Sequence, residues 1–388
     1  MFFEIVVGLV TAGLVIGTAM QIVPLLIYLE RKIAAYIQGR IGPNRVNFSI
    51  GDVRHLLPES MHGAIPESLA RVKLIPGSLQ PLADAIKLAF KEEIVPENAD
   101  KVLYNLGPVI AFIPVGTALA FIPFGSSFTV GPGTILGLDI GHHVIDLRVA
   151  SANVGVLGLL AISSLGVFGI AVGGWGSGSK FPLMGAVRAA AQMISYEVAM
   201  GIALVTALVC AGSVDTQAIV MDQATRGWGP LGWLCFRQPL ACLVFLVAMF
   251  AENNRLPFDL PEAEPELVGG YHTEYSGLKF ALFFLGEYMA MIVMCGLFVT
   301  LFLGGWSFPI LVDPQGTSFL NAMVSILVFM SKLFMVLGLQ LWLRWTLPRF
   351  RYDQLMDIGW KVMVPLALVN LLVTAVVVTF WPGAFVFA

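Results

Sequence analysis

Eight long apolar stretches dominate this chain, and they leave few folds open to it. They run Ile5–Leu29, Val102–Phe124, Val154–Val172, Ala189–Ala211, Arg237–Asn254, Leu278–Leu303, Phe319–Leu343 and Val362–Trp381. A bilayer core of ~30 Å is crossed by about 20 helical residues. Backbone in hydrocarbon must satisfy its own polar groups, so each run reads as a helix. Only 12% of the 388 residues are charged and the mean hydropathy is +0.84, against about a quarter charged in soluble domains. The expected fold class is an all-α integral membrane protein with eight transmembrane helices, one polytopic domain over residues 1–388. The first run follows Glu4 rather than a basic segment and is long for a signal peptide, so it reads as a retained helix.

Eight spans put both termini on one side, and the positive charges choose which. The connections 30–101, 173–188, 255–277 and 344–361, with Lys279 at a helix edge, hold 18 of the 22 Lys and Arg residues. The other connections hold only Arg148, Arg226 and Arg237, and Lys332 lies within a span. Cytoplasmic loops carry the basic excess, so both termini are expected outside and the 251–277 loop in the cytoplasm. No internal repeat is visible, which disfavours the inverted-repeat transporter folds.

The long connection has three parts. ERKIAAYIQGRIGPNR is basic and ends in a turn signal. A segment near 47–78 has scattered charges, several prolines and no clear period, and reads as an insertion. Leu79 to Glu93 then sets Leu82, Ile86, Ala89 and Phe90 opposite Asp84, Lys87 and Lys91, the pattern of an amphipathic helix lying at the membrane surface. That pattern fits a lateral entry for a lipid-soluble substrate and an inert anchor equally well. The adjacent His142 and His143 lie in a Gly-rich outer loop with no third ligand near, and read as exposed. Cys210, Cys235, Cys242 and Cys295 form no CxxC pair, which supports neither a disulfide framework nor a metal or iron–sulfur site.

The charges in the oil carry the chemical signal. Glu197, Glu287 and Lys332 fall inside spans, and Glu252 ends the fifth run, whose apolar part from Pro239 to Ala251 has only 13 residues. To cross, that helix must take in Arg237 at one end and Glu252, Asn253 and Asn254 at the other. Intramembrane charges cost ~2.5–3.5 kcal/mol each on insertion scales, and they mark ion and proton pathways. One lysine can neutralise one acid and fix helix packing. Three carboxylates leave a surplus, the composition of a proton relay. The following loop, AENNRLPFDLPEAEPELVGGYHTEY, holds six of the 25 carboxylates: Glu252, Asp259, Glu262, Glu264, Glu266 and Glu274. Pro261 and Pro265 are expected to keep it out of a helix, so that Glu262, Glu264 and Glu266 alternate on one extended face. A solvated acidic surface is the alternative, countered by the interleaved Pro257, Phe258 and Leu260.

Four of these stretches, ERKIAAYIQGRIGPNR, LQPLADAIKLAFKEE, FPLMGAVRAAAQMISYEVAMG and AENNRLPFDLPEAEPELVGGYHTEYSG, resemble the quinone-site membrane subunit of respiratory complex I. This is the family of proton-pumping NADH:quinone oxidoreductase membrane subunits whose mitochondrial member is subunit 1. The resemblance covers essentially the whole chain, in order. It implies a non-autonomous enzyme subunit that frames the entry tunnel for ubiquinone or menaquinone, with Arg31, Arg40, Asp84, Lys87, Arg255 and Asp259 along the tunnel. It implies proton coupling through Glu197, Glu252, Glu262, Glu264, Glu266, Glu274 and Glu287, with Lys332 as a partner in that path. FMN and iron–sulfur clusters are expected only on partner subunits of the peripheral arm, other membrane-arm subunits are further partners, and the location is the bacterial inner membrane rather than the mitochondrial one. Two departures stand out. The 47–78 segment is longer than the family pattern, and Asn253 and Leu256 replace a Thr and a small residue. Rival readings are the anchor subunit of a membrane-bound hydrogenase, an autonomous cation/proton transporter and a purely structural anchor. A transporter needs a midplane site between broken helices, whereas the acids here gather at the cytoplasmic end.

Overall fold

A computed structural model describes all residues except 1, 47, 50–72, 131–132, 136–137, 141–142, 151–152, 226–228, 263 and 382–388. Most of the segment near 47–78, expected to be an insertion, thus lies outside the described residues.

The chain is built of helices with short connections. In order they are α1 (Phe2–Ile37), α2 (Gln80–Ala89), α3 (Lys101–Ala118), α4 (Gly155–Gly176), α5 (Lys180–Ala211), α6 (Thr216–Thr225), α7 (Leu234–Arg237), α8 (Pro239–Glu252), α9 (Glu264–Leu267), α10 (Gly277–Phe302), α11 (Phe319–Thr346), α12 (Tyr352–Asp357) and α13 (Val364–Phe380). Small antiparallel ribbons, such as Phe128–Val130 against His143–Ile145, occur only in connections. A π-helical turn, Ile358–Met363, joins α12 to α13. Pro365 begins α13 there, and a widened turn relieves the clash of its ring with the carbonyl one turn earlier.

Among the described residues, seven helices are long and apolar enough to cross a membrane: those of runs one to four and six to eight. The fifth expected span is not reproduced as a full crossing. Its run yields α8 with 14 residues, preceded by the separate turn α7. The reason is local. Gln238 sits between them at φ −134° and ψ 63°, which is not helical, and Pro239 starts the new helix. Arg237 is therefore not part of α8, and the chain leaves the helix after Glu252. Other runs extend as helix into polar flanks, α5 by nine residues before Ala189 and α11 to Thr346.

The helices α3 and α4 touch backbone to backbone. A Cβ built on Gly169 would lie 2.3 Å from the Ala111 nitrogen, and one on Gly176 would lie 2.7 Å from that of Tyr104. Without a hydrophobic drive between helices in lipid, such close approach gains dispersion contact. Buried Phe245, Met289, Cys295, Leu297 and Phe302 of α8 and α10 occupy the main core with Tyr196 and Met200 of α5. By contrast, α1 and α13 stay largely exposed along their apolar lengths, as lipid-facing helices do. On α2, Leu82, Ile86 and Phe90 are exposed, the apolar face anticipated from its period.

Candidate functional site

The acidic loop is not a solvated surface. Phe258, Leu260, Leu267, Tyr271 and Tyr275 are buried, and so are Arg255 and Asp259. Gln192, fully buried on α5, donates through Nε2 to the carbonyls of Ala251 at 2.8 Å and Phe258 at 2.7 Å. One side chain thus ties the end of α8 and the loop to α5. Gly270, at φ +62°, lets the loop close on itself where a Cβ would strike the Pro261 carbonyl at 1.7 Å. Residues 264–267 form a helical turn instead of the extended strand expected. Pro265 is tolerated because it stands in the first turn, where its missing N–H has no helical acceptor. Glu262 and Glu266 consequently do not share one face. Glu266 pairs with Arg188 at 2.6 Å on the exposed rim, whereas the charge of Glu262 reaches Arg255 and Asp259.

Beneath the loop lies a chain of polar contacts. The Arg255 Nε is 3.2 Å from Glu287 Oε1 on α10, and its guanidinium lies 4.5 Å from the centre of the Tyr288 ring. Tyr288 donates its hydroxyl to Glu30 Oε2 at 2.6 Å, and the other Glu30 oxygen meets Arg344 on α11. The three helices α1, α10 and α11 are thereby stitched by charge at one depth. Asp259 pairs with Arg349 at 2.8 Å. Burial and the nearby Glu262 charge outweigh Arg349 and Arg255 and push the Asp259 carboxyl up to about 7. Tyr271 is raised well above its ordinary value by burial, then by Glu287, and stays a neutral hydroxyl.

A cavity of about 60 Å³ opens between α3, α4, α5, α8 and α10, lined by Glu252, Asn253, Asn254, Tyr271 and Glu287 among apolar groups. Glu252 Oε2 and both amide atoms of Asn253 are buried and reach no protein hydrogen-bond partner. Buried polar atoms are almost always satisfied by protein or water, and this volume accommodates a few water molecules. Glu197 accepts a hydrogen bond from Ser164 on α4 and lies within electrostatic range of Glu252. Glu252, Glu287 and Glu197 therefore converge on one region.

The remaining residues singled out from the sequence fall elsewhere. Arg31 and Asp84 form an ion pair of 2.7 Å between α1 and α2, half-exposed. Arg40 and Lys87 are exposed, with Arg40 against Gln38. Half-buried Glu274 offers its backbone carbonyl to Tyr104 and is not among the residues lining the cavity. The Glu264 side chain lies outside the described residues. Lys332 does not join the acids: it sits at the opposite end of α10, on backbone carbonyls. Among the described residues no group of three His, Cys, Asp or Glu could hold a metal ion. The sequence reading missed Glu30, Tyr288, Arg344, Arg349, Gln192 and Ser164. Glu30 and Arg344 bound their runs, and edge charges read as solvated; Ser164, Gln192 and Tyr288 are unremarkable in type.

The NADH dehydrogenase family model matches residues 10–375. A protein of Geobacter sulfurreducens named as a subunit of NADH-quinone oxidoreductase is 43% identical over 354 residues, 91% of this chain and 89% of that protein. A Cytophaga hutchinsonii protein named in the same way is 40% identical over 380 residues, 96% of this chain and 98% of its own length. The NADH-quinone oxidoreductase subunit 8 of Rhodothermus marinus is 40% identical over 373 residues, covering 94% and 95%.

Proposed function

The chain belongs to the NADH dehydrogenase family, and we propose that it serves as the quinone-site membrane subunit of a proton-translocating NADH:quinone oxidoreductase. The observation that carries this reading is the continuity from the buried loop into the membrane: Asp259 and Arg255 buried within the loop, Glu287 and Glu252 on a shared cavity, and Glu197 beyond. Quinone, ubiquinone or menaquinone, is the substrate. It enters from the bilayer beside the exposed apolar face of α2, past the Arg31–Asp84 pair. FMN and iron–sulfur clusters belong to partner subunits of the peripheral arm, which sits over the loop; other membrane-arm subunits flank the helices. The membrane is the bacterial inner membrane, with the loop in the cytoplasm and the termini outside.

In this reading a negative quinone intermediate near Arg255 competes with Glu287 for the guanidinium. Glu287 then holds a proton in preference to the ion pair, taken by way of waters in the cavity that Glu252 and Asn253 line. Glu252 and Glu197 pass the change onward as linked protonation states. Glu262, Glu264 and Glu266 supply protons at the loop surface, and Glu274 marks the far end of that supply.

The test uses inside-out membrane vesicles from a strain lacking this chain, before and after complementation. NADH-driven quinone reduction and the accompanying proton gradient should both vanish and both return. Persistence of both without the chain refutes the reading and favours a hydrogenase anchor or an autonomous transporter. With Glu287→Gln, the proton gradient per quinone reduced should fall at least severalfold; an unchanged ratio removes Glu287 from the path.

A further inference from the structure

Lys332 stands apart from the acids, midway along α11 and beside the turn that follows α10. Its Nζ donates to three backbone carbonyls, Leu303 at 2.7 Å, Gly305 at 3.0 Å and Ser307 at 2.5 Å. The fourth side is the face of Trp233, 4.2 Å from Nζ to the ring centre. Among the described residues no carboxylate lies within ion-pair distance of it, in contrast to buried Arg255, which meets Glu287.

The nest is built by the chain itself. After α10 ends, Gly304 and Gly305 both take left-handed conformations, φ +70° and +52°. This curl turns the carbonyls of residues 303, 305 and 307 toward one point. Side chains are excluded there: a Cβ on Gly304 would meet Trp233 at 2.5 Å, and one on Gly305 would meet Val220 at 2.5 Å. Three converging carbonyls, an aromatic face and the negative end of the α10 dipole all attract a positive charge. They offer nothing to a neutral amine's lone pair, whereas an ammonium has three donors and no acceptor. A cavity of about 260 Å³ shares Trp233 and Ser307 with the nest, so the site is within reach of a small solute.

We propose that this turn is a monovalent-cation site whose resident is the tethered ammonium of Lys332, and that the bound charge fixes the end of α10 opposite Glu287. Lys332 is then a positioning residue that acts by charge, not by giving or taking a proton. This goes beyond the quinone reading and does not depend on it.

The experiment uses the assembled complex carrying Lys332→Met, a neutral side chain of similar length, purified in detergent for melting and reconstituted into sealed lipid vesicles for proton counting. Its apparent melting temperature should fall by several degrees and its proton-to-electron ratio should drop. Potassium and methylammonium, each added as chloride, should restore both; tetramethylammonium, too large for the nest, should restore neither. Potassium carries no exchangeable proton, so restoration by methylammonium but not by potassium would assign Lys332 a proton-transfer role and overturn the proposal. So would wild-type behaviour of the variant in plain buffer, or losses that no cation reverses. If Lys332→Met does not assemble, Lys332→Arg decides: assembly with arginine supports a charge requirement, and failure with both overturns it. The melting temperature reads the nest even if quinone reduction proves not to be the activity.

Discussion

Removing the Arg255 guanidinium while leaving Glu287 in place tests the packing of the whole site. In Arg255→Met the Glu287 carboxylate, 9% exposed, keeps its burial and loses its counter-charge. Two unit charges 3.2 Å apart attract by roughly 5 kcal/mol at an effective dielectric of about 20. Desolvation of both offsets much of that, and breaking a buried pair from one side costs about 3–5 kcal/mol. Unfolding entropy of about 2.1 cal/mol/K per residue gives ~0.8 kcal/mol/K for this length, so the apparent melting temperature should fall by ~4–6 °C. Glu287→Gln alone strands the guanidinium, though Tyr288 still faces it at 4.5 Å, and should cost somewhat less. The double variant buries no lone charge and should recover part of the loss, with a coupling of about 2–3 kcal/mol. The assay is thermal unfolding of the purified complex for all four members of the cycle. If the two single losses add to within ~0.5 kcal/mol, the two side chains do not act as a pair and the site as described is wrong.

Gln192→Leu removes the side-chain donor from the carbonyls of Ala251 and Phe258, which keep the backbone N–H groups of Asn254 and Leu260, at about 0.5–1.5 kcal/mol for each bond lost; proteolysis or amide exchange across 253–262 should accelerate, and unchanged protection refutes the tie. The folded chain binds the Asp259 proton more tightly than an unfolded one, about 7 against 3.8. That preference contributes stability fully present below about 4 and lost as pH rises through about 7. Asp259→Asn should flatten the pH dependence of loop protection over that window; parallel profiles for variant and parent sink the idea. Gly169→Ala drives a methyl against the α3 backbone and should sharply reduce complex yield in membranes, whereas Gly116→Ala, which meets nothing within 4 Å, should not.

Most of the helices were legible because a bilayer imposes one length and one backbone solution on every apolar run. The fifth run shows the limit of that argument. Its 13 apolar residues raised the question of how it crosses, and hydropathy alone extended it at both ends, whereas Gln238 and Pro239 break it locally. The surplus of carboxylates around Glu252 was visible in one dimension, and three of the acids do converge. Their partners were not visible, because Arg255–Glu287, Tyr288–Glu30 and Asp259–Arg349 join positions tens to hundreds of residues apart. Charges that end a run, such as Glu30 and Arg344, look the same in sequence whether they face water or one another. Lys332 shows the opposite failure: a lone lysine in a span suggests an acid as partner, and backbone carbonyls, present in every residue, leave no trace in composition.

The brevity of α8 has an electrical consequence. Fourteen residues rise about 21 Å, roughly 9 Å short of a ~30 Å core. Set upright from its Pro239 end, the helix leaves Glu252 about a third of the way into the membrane's voltage drop. One charge crossing the full drop exchanges ~2.3 kcal/mol per 100 mV, so on the proposed proton path each proton that arrives at Glu252 from the loop side exchanges ~0.7 kcal/mol per 100 mV with the field. A short helix thereby makes the occupancy of a buried carboxylate responsive to membrane potential, with no voltage-sensing segment and no moving helix.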